Sequence, residues 1–348
     1  IAIAGQLVTV SATDESGAST SAVVEPLDDS PPFSTPDAPV ANREVRSAYQ
    51  QRGSIGGAAV RTVIAANFDQ IATDDFSAAE EMRTKNPSAL LLRQISLRDV
   101  RKDEDHYDDA AELFWAAYRL TDLSRLVEIQ DDEKKDAWAS VLIAALSDLP
   151  EYFDGVLLDG GYVLREEETE IGALPPDFDA TVYRDALTDI AEQVREALTV
   201  PVFVRGLSNL DSLDEQVGNS SFDGIVALGL ALRNREPVSA DNFSARFTTL
   251  QRILNNGRDL TVVEQGSSRA HREVGLSAYL LLCSDSTAYS YLNPEITGPQ
   301  FYPEHQLNLG SPTNSVRIEN GLYIRPFQNG VVLFNPAEDA ARYYVGKN

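Results

Sequence analysis

The chain has 348 residues, with 29 Lys and Arg against 54 Asp and Glu, a formal net charge of −25. Hydrophobic residues make up 43% and charged residues 24%, which is the composition of a chain that buries a core and excludes wholesale disorder. The charge excludes a phosphate backbone as the main partner, and no apolar run approaches the ~20 residues that cross a bilayer, so neither nucleic acid nor a membrane span is expected.

The cations are uneven, 5 Lys against 24 Arg. An acid-rich, lysine-poor surface holds water in concentrated salt, so one reading is a halophilic protein. The other is an acidic exported protein from a genome whose GC-rich codons favour Arg. The single cysteine, Cys283, lies in an apolar run and excludes an intrachain disulfide or a Cys-based zinc site. His106, His271 and His305 lack metal-ligand spacing, and no metal or cofactor is expected.

In chain order, residues 1–41 read as an extended N-terminal arm rich in Ser, Thr, Asp and Pro. The chain begins with Ile1 instead of Met, which suggests that a leader was removed or omitted. Residues 1–12 alternate partly like a strand and are expected to pair with a sheet edge, on this subunit or on a neighbour. Residues 42–310 read as one domain of alternating strands and helices. Strands are expected at 61–69, 89–96, 125–130, 153–159, 200–206, 222–230, 259–265 and 277–283, as continuous apolar runs covered on both faces. Helical spacing is clear at 77–87, at 132–149 (Trp138, Val141, Leu142, Ala145, Leu149) and at 179–198, where Asp179 is the expected N-cap. Eight strands interleaved with helices predict an α/β fold, a (β/α)8 TIM barrel. An open doubly wound sheet is the alternative, without a GxGxxG or GxxxxGK[ST] turn to support it. Residues 311–348 contain GLYIRPFQNGVVLFNP (321–336), a β-hairpin expected to close the barrel.

Function in such barrels sits at the strand C-terminal ends. The polar residues placed there are Asp69, Arg93, Gln94, Asp159, Arg205, Glu264 and Gln265. Asp159 ends an apolar strand before Gly160-Gly161, a backbone that a ligand can approach closely, although an Asp there equally serves to cap a loop or pair with Arg93 or Arg205. Tyr289 and Tyr291, after the eighth expected strand, offer faces for a sugar ring or else pack in the core. Trp115 and Tyr118 read as the buried face of a helix over ELFWAAYRL, and REEETE (165–170) as a solvated acidic loop. Asn219 and Asn242 stand in glycosylation sequons, compatible with export to the extracellular side.

Several segments in order, KNPSALLLRQIS, LVEIQDDEKKDAWASVLIAAL, YFDGVLLDGG, FDGIVALG, LSAYLLLCSDSTAYSYLN and NGLYIRPFQNGVVLFNP, resemble a family of secreted glycoside-hydrolase-like TIM barrels over about residues 60–336. The resemblance implies a carbohydrate-acting barrel with one carboxylate after the fourth strand and another after the sixth. Asp159 matches the first. The second is missing, because the sixth-strand segment runs Asp223-Gly224-Ile225-Val226-Ala227-Leu228-Gly229. Hydrolysis needs one carboxylic acid to protonate the leaving oxygen and a partner to attack or to activate water. Glu264 is the candidate replacement, or else a partner for one of the arginines. The expectation is a secreted barrel that binds or hydrolyses a carbohydrate through this cleft with an incomplete carboxylate pair. The alternative is an inactive extracellular structural subunit, in a surface layer or filament, linked through residues 1–41 as a homo-oligomer.

Overall fold

The structure, a computed structural model, describes residues 8–13, 19–24, 45–115, 118, 124–161, 169, 172–206, 222–233, 235–296, 298–337 and 340–345. A hairpin of β1 (Val8–Thr13) and β2 (Ser19–Val24) is followed by β3 (Ala48–Gln51), α1 (Ala58–Asn67), β4 (Gln70–Thr73), α2 (Phe76–Lys85) and β5 (Leu90–Ser96). An excursion pairs β6 (Asp99–Arg101) antiparallel with β7 (Ser124–Leu126). Alternation resumes with α3 (Asp132–Ser147), β8 (Gly155–Asp159), α4 (Ala180–Ala197), β9 (Val202–Arg205) and β10 (Gly224–Leu228). The short pair β11 (Leu232–Arg233) and β12 (Glu236–Pro237) precedes α5 (Ala240–Asn255), β13 (Asp259–Gln265), α6 (Arg269–Leu280) and β14 (Thr287–Leu292). Four antiparallel strands follow: β15 (Arg317–Glu319), β16 (Leu322–Phe327), β17 (Gly330–Asn335) and β18 (Ala340–Val345).

Eight strands form one parallel sheet in the order β3-β4-β5-β8-β9-β10-β13-β14. A parallel bridge between Ser47 and Tyr289 brings the last strand back to the first, and the Tyr289 N–H donates to the Arg46 carbonyl at 2.7 Å. The fold is therefore a nearly closed (β/α)8 TIM-type barrel of the α/β class.

The barrel is not assembled from all the expected strands. Residues 61–69 lie mostly in α1, where Ile64 and Ala65 face the core from an alanine-rich helix. Residues 277–283 run through the end of α6. The segment 125–130 belongs to the excursion. The strands that take those three places are AYQQ (β3), QIAT (β4) and TAYSYL (β14). Where a helix is expected over ELFWAAYRL, the described residues form a 3₁₀ turn at Ala111–Leu113 and an extended bridge from Phe114 to Val127; residues 116, 117, 119 and 120 lie outside the described ones.

Side-chain alternation divides the barrel interior into layers. Near its N-terminal end the Thr261 hydroxyl reaches Gln70 Oε1 at 2.9 Å, joining strands that are not neighbours in the sheet. Above it Ala72, Leu92, Leu157, Phe203, Val226 and Val263 form one buried apolar cluster. The Phe203 ring fills that layer because Gly224 opposite has no side chain; a Cβ there would lie 2.1 Å from the ring. The next inward positions toward the C-terminal ends include Gln94, Asp159, Arg205 and Gln265, with Leu228 and Leu292 as apolar members, and form the mouth.

Outside the barrel the helices are fixed by side-chain caps, among them the expected one at Asp179. Asp75, Asp131, Asp179, Ser239 and Ser268 each accept a first-turn backbone N–H, of α2, α3, α4, α5 and α6 respectively. The C-terminal sheet packs on the outer helices: Tyr323 and Phe334 lie against Phe243 of α5, with ring centroids 5.1 and 4.5 Å apart. Arg325 donates to the Leu280 carbonyl at the end of α6. Within the N-terminal arm, β1 pairs with β2 of its own chain, and that hairpin lies beside β18. No helix of the described residues is long and apolar enough to cross a membrane.

Candidate functional site

The mouth is built where four strands end. Gln50 of β3, Gln94 of β5, Asp159 of β8 and Arg205 of β9 point inward and meet. Arg205 Nε donates to Asp159 Oδ1 at 2.5 Å, and its Nη2 donates to Oδ2, a bidentate pair. Gln94 Nε2 donates to Oδ2 at 2.8 Å, and the Gly160 N–H to Oδ1 at 2.6 Å. The other side of Arg205 donates from Nη1 to Gln50 Oε1 at 2.7 Å. Asp159 is buried, which by itself raises a carboxyl pKa. The Arg205 guanidinium, Gln94 and Gly160 outweigh that and hold it below the ordinary aspartate value. Asp159 is thus an ionised acceptor with both oxygens engaged.

The approach that Gly160 seemed to offer a ligand is occupied. A Cβ at Gly160 would meet Ser96 Oγ at 3.1 Å and Arg98 Cγ at 3.2 Å. Ser96 in turn donates to Asp99 at 2.6 Å, and Asp99 is paired with Arg52 at 2.7 Å, so the rim of the mouth is a continuous polar network.

Glu264 sits elsewhere. Its neighbours Val263 and Gln265 take the inward positions of β13, and Glu264 faces out beneath α6, fully buried. Its Oε1 accepts the Ala231 N–H at 2.7 Å and its Oε2 the Leu232 N–H at 3.0 Å, which clasps the turn after β10. Gly275 lets α6 approach, since a Cβ there would come within 3.0 Å of Glu264 Cγ. Burial pushes this carboxyl up to about 8, against the pull of the two N–H groups and of Arg246. As a replacement acid it is on the wrong side of the barrel wall.

The remaining expected residues divide in the same way. Gln265 ends β13 exposed. Arg93 faces outward from β5, its guanidinium 4.7 Å over the Phe76 ring and donating to the Ala145 carbonyl. Asp69 precedes β4 at the opposite, N-terminal end, where it accepts the Ser47 N–H at 2.8 Å; the misplaced strand 61–69 had put it at the mouth. Tyr289 and Tyr291 are buried between barrel and α6, Tyr289 tilted against Tyr279 and Tyr291 edge-to-face with Tyr302 at centroid distances of 5.0 and 5.6 Å, so neither offers a face to a ligand. Leu228, the end of β10 where the family pattern carries an acid, is 41% exposed. The expected loop 165–170, apart from Thr169, and Asn219 lie outside the described residues. No group of His, Cys, Asp and Glu that could hold a metal is found among the described residues.

A recess of about 250 Å³ opens beside the mouth, bounded by the chain after β3 and β4, by Arg93 and Gln94 of β5, and by residues 103–106 of the excursion. His106 stands in it, buried, with its ring 5.8 Å from Trp138. Burial, and then Arg93 and Arg52, lower its imidazole to about 4, so it is neutral at pH 7. Asp74 and Glu104, also on the recess, are both raised by burial despite Arg52 nearby. Gln50 and His106 were not singled out in the sequence. Gln50 lies in a strand too short and too polar to recognise, and His106 in a run of charges.

The fold and the site together define an α/β barrel whose mouth carries an ionised carboxylate, an arginine and two amides bonded to one another. The chain belongs to the hypothetical glycosyl hydrolase family 15, whose model matches residues 98–331. No curated protein sequence matches it. Among solved structures, it is similar to the glycoside hydrolase domain of PelA from Pseudomonas aeruginosa (13% identity, TM-score 0.47, covering 73% of this chain and 98% of that one). Ega3 of Aspergillus fumigatus in complex with galactosamine is a second (8% identity, TM-score 0.45, covering 78% and 100%). A third is the family 30 xylanase Xyn30A from Clostridium acetobutylicum (12% identity, TM-score 0.44, covering 83% and 80%).

Proposed function

We propose that this barrel binds a carbohydrate at its mouth and does not hydrolyse it through Asp159. The observation that carries the reading is the bidentate Arg205–Asp159 pair. A carboxylate held ionised is a poor proton donor, and one with both oxygens engaged has little freedom to attack an anomeric carbon. Neither β10, which ends in Leu228, nor β13, which ends in Gln265, supplies an inward-facing partner acid. Family membership and the polar mouth support the carbohydrate.

A glycan array probed with the wild-type chain and with Asp159→Asn, together with reducing-sugar release from the glycans that bind, tests this. Binding without release is expected. Release by the wild type that is lost in Asp159→Asn would overturn the non-hydrolytic half, and no bound glycan would overturn the whole. We further propose that the protein works outside the cell in saline surroundings, as its charge of −25 and lysine scarcity suggest. A melting temperature that fails to rise between dilute buffer and molar KCl counts against the saline half.

A further inference from the structure

The recess beside Gln94 holds hydrogen-bonding capacity that the protein itself does not use. Gln94 is buried, its Nε2 is committed to Asp159, and its Oε1 has no partner. His106 is only 4% exposed, and neither ring nitrogen has a hydrogen-bond partner; Glu104 Oε2 stands 3.8 Å from Nε2. Both side chains line the same recess. Folded proteins seldom leave buried polar atoms unpaired, so two such groups facing one space mark a place where a ligand's polar atoms complete the bonding.

The acids around the recess are, by contrast, largely occupied. Asp74 accepts the Gly53 N–H at 2.5 Å, Asp75 those of Ile55 and Ala78, and Glu104 is held by Arg52 at 2.8 Å. The unspent buried groups are therefore uncharged, with the Asp105 carboxylate exposed at the edge of the recess: an amide oxygen that accepts, and a neutral imidazole with one N–H to donate and one bare nitrogen to accept. A hydroxyl both donates and accepts, and matches this set. An anion meets the surrounding carboxylates, and an ammonium ion meets an imidazole N–H it has no use for.

The direction of the Gln94 amide is not free to change. Asp159, fixed by Arg205, requires the NH2 end of Gln94, and this leaves the oxygen unpaired at the recess. Gln50 is set the same way from the other side, because Arg205 takes its Oε1 and its Nε2 is left unpartnered. We propose that this recess is a subsite for one uncharged, hydroxyl-bearing sugar ring, bound by Gln94 Oε1 and neutral His106, with Asp159 and Arg205 as positioning residues. A volume of 250 Å³ lies just below the ~300–1,000 Å³ of ordinary ligand pockets, which suits a single ring. The inference rests on the carbohydrate reading above.

Titration of the full chain with a panel of neutral methyl pyranosides, and with glucosamine as the charged counterpart, tests it by calorimetry and by the His106 side-chain nitrogen signals. His106→Phe keeps a ring against Trp138 and removes both nitrogens; Gln94→Met removes the oxygen. Each is expected to weaken pyranoside binding about tenfold, and sugar is expected to shift the His106 signals of the wild type. Unchanged affinity in both variants, or His106 signals that do not move when sugar binds, overturns the subsite and leaves the carbohydrate reading standing. If no pyranoside binds the wild type, both fall. Tighter binding of glucosamine than of the neutral rings overturns the uncharged class.

Discussion

Asp159 and Glu264 are both buried carboxyls near the C-terminal ends of barrel strands, and their surroundings have made them opposites. Asp159 lies on the inner side of the wall, where charged and amide side chains from other strands reach it, and Arg205 keeps it ionised. Glu264 lies on the outer side, where backbone N–H groups of one turn bind it with the Arg246 charge nearby, and burial lifts it to about 8. The distance along the strand from its end is almost the same; the face is what differs. A carboxylate in a barrel wall acquires its chemistry from the side of the sheet it faces, and a one-residue change of phase decides that side.

The contrast can be broken first at Asp159. Asp159→Ala leaves the Arg205 charge uncompensated and is expected to cost about 3–5 kcal/mol in denaturant unfolding, most of it regained in Asp159→Ala/Arg205→Met. A double variant as unstable as the single one would show that the pair is not the source of the loss. Glu264→Ala strands two backbone N–H groups and opens a small cavity, an expected cost of about 3 kcal/mol in the same measurement.

The pH dependence sharpens the comparison, because Glu264 and the imidazole of the recess act on opposite limbs. Glu264 binds its proton more tightly folded than unfolded, so its contribution is full below pH 4.5 and is lost as pH rises through about 8. Glu264→Gln should flatten this alkaline decline. His106, lowered from 6.5 to about 4, contributes above pH 6.5 and loses that contribution as pH falls through about 4. The groups facing it are Glu104, Asp105, Asp109, Arg93 and Arg52. His106→Phe should flatten the acid limb, as read by unfolding free energies across that range. The smallest effect is expected at Leu228: Leu228→Glu replaces a partly exposed side chain and should change stability by no more than about 0.5 kcal/mol. A larger loss in thermal melts would show that Leu228 belongs to the core.

The barrel was legible in the sequence as a class, and five of its strands were legible as segments. GVLLD, FDGIVALGL and DLTVVEQ are continuous apolar runs because they are buried on both faces. ValIleAlaAla of α1 and LeuLeuLeuCys after α6 look the same over four residues, since a short apolar run does not separate a buried strand from a buried helix. AYQQ and TAYSYL went unseen for the converse reason: a strand that contributes to a polar mouth or packs through tyrosines carries few aliphatic residues. The same limit explains Glu264. When both faces of a strand are covered, alternation vanishes from the sequence, and nothing in it tells Glu264 from Gln265. The mouth itself was half legible. Asp159, Arg205 and Gln94 were singled out as polar residues at strand ends, and Arg205 was one of two arginines expected to pair with Asp159; that Gln50 of β3 reaches Arg205 of β9 across the mouth is set by barrel closure, which no local pattern encodes.

That closure has a mechanical side. β3 and β4 are joined over four residues, whereas β3 meets β14 through the bridge at Ser47 and Tyr289. The barrel therefore has a seam, and the chain entering from the N-terminal side reaches the sheet directly at it. A pull on that entry loads the seam as a zipper, one bond after another, instead of shearing a ladder all at once. The barrel would open there first, with the Tyr289 amide among the earliest in the sheet to exchange its hydrogen, and Gln50 is the mouth residue that would leave with the opening strand.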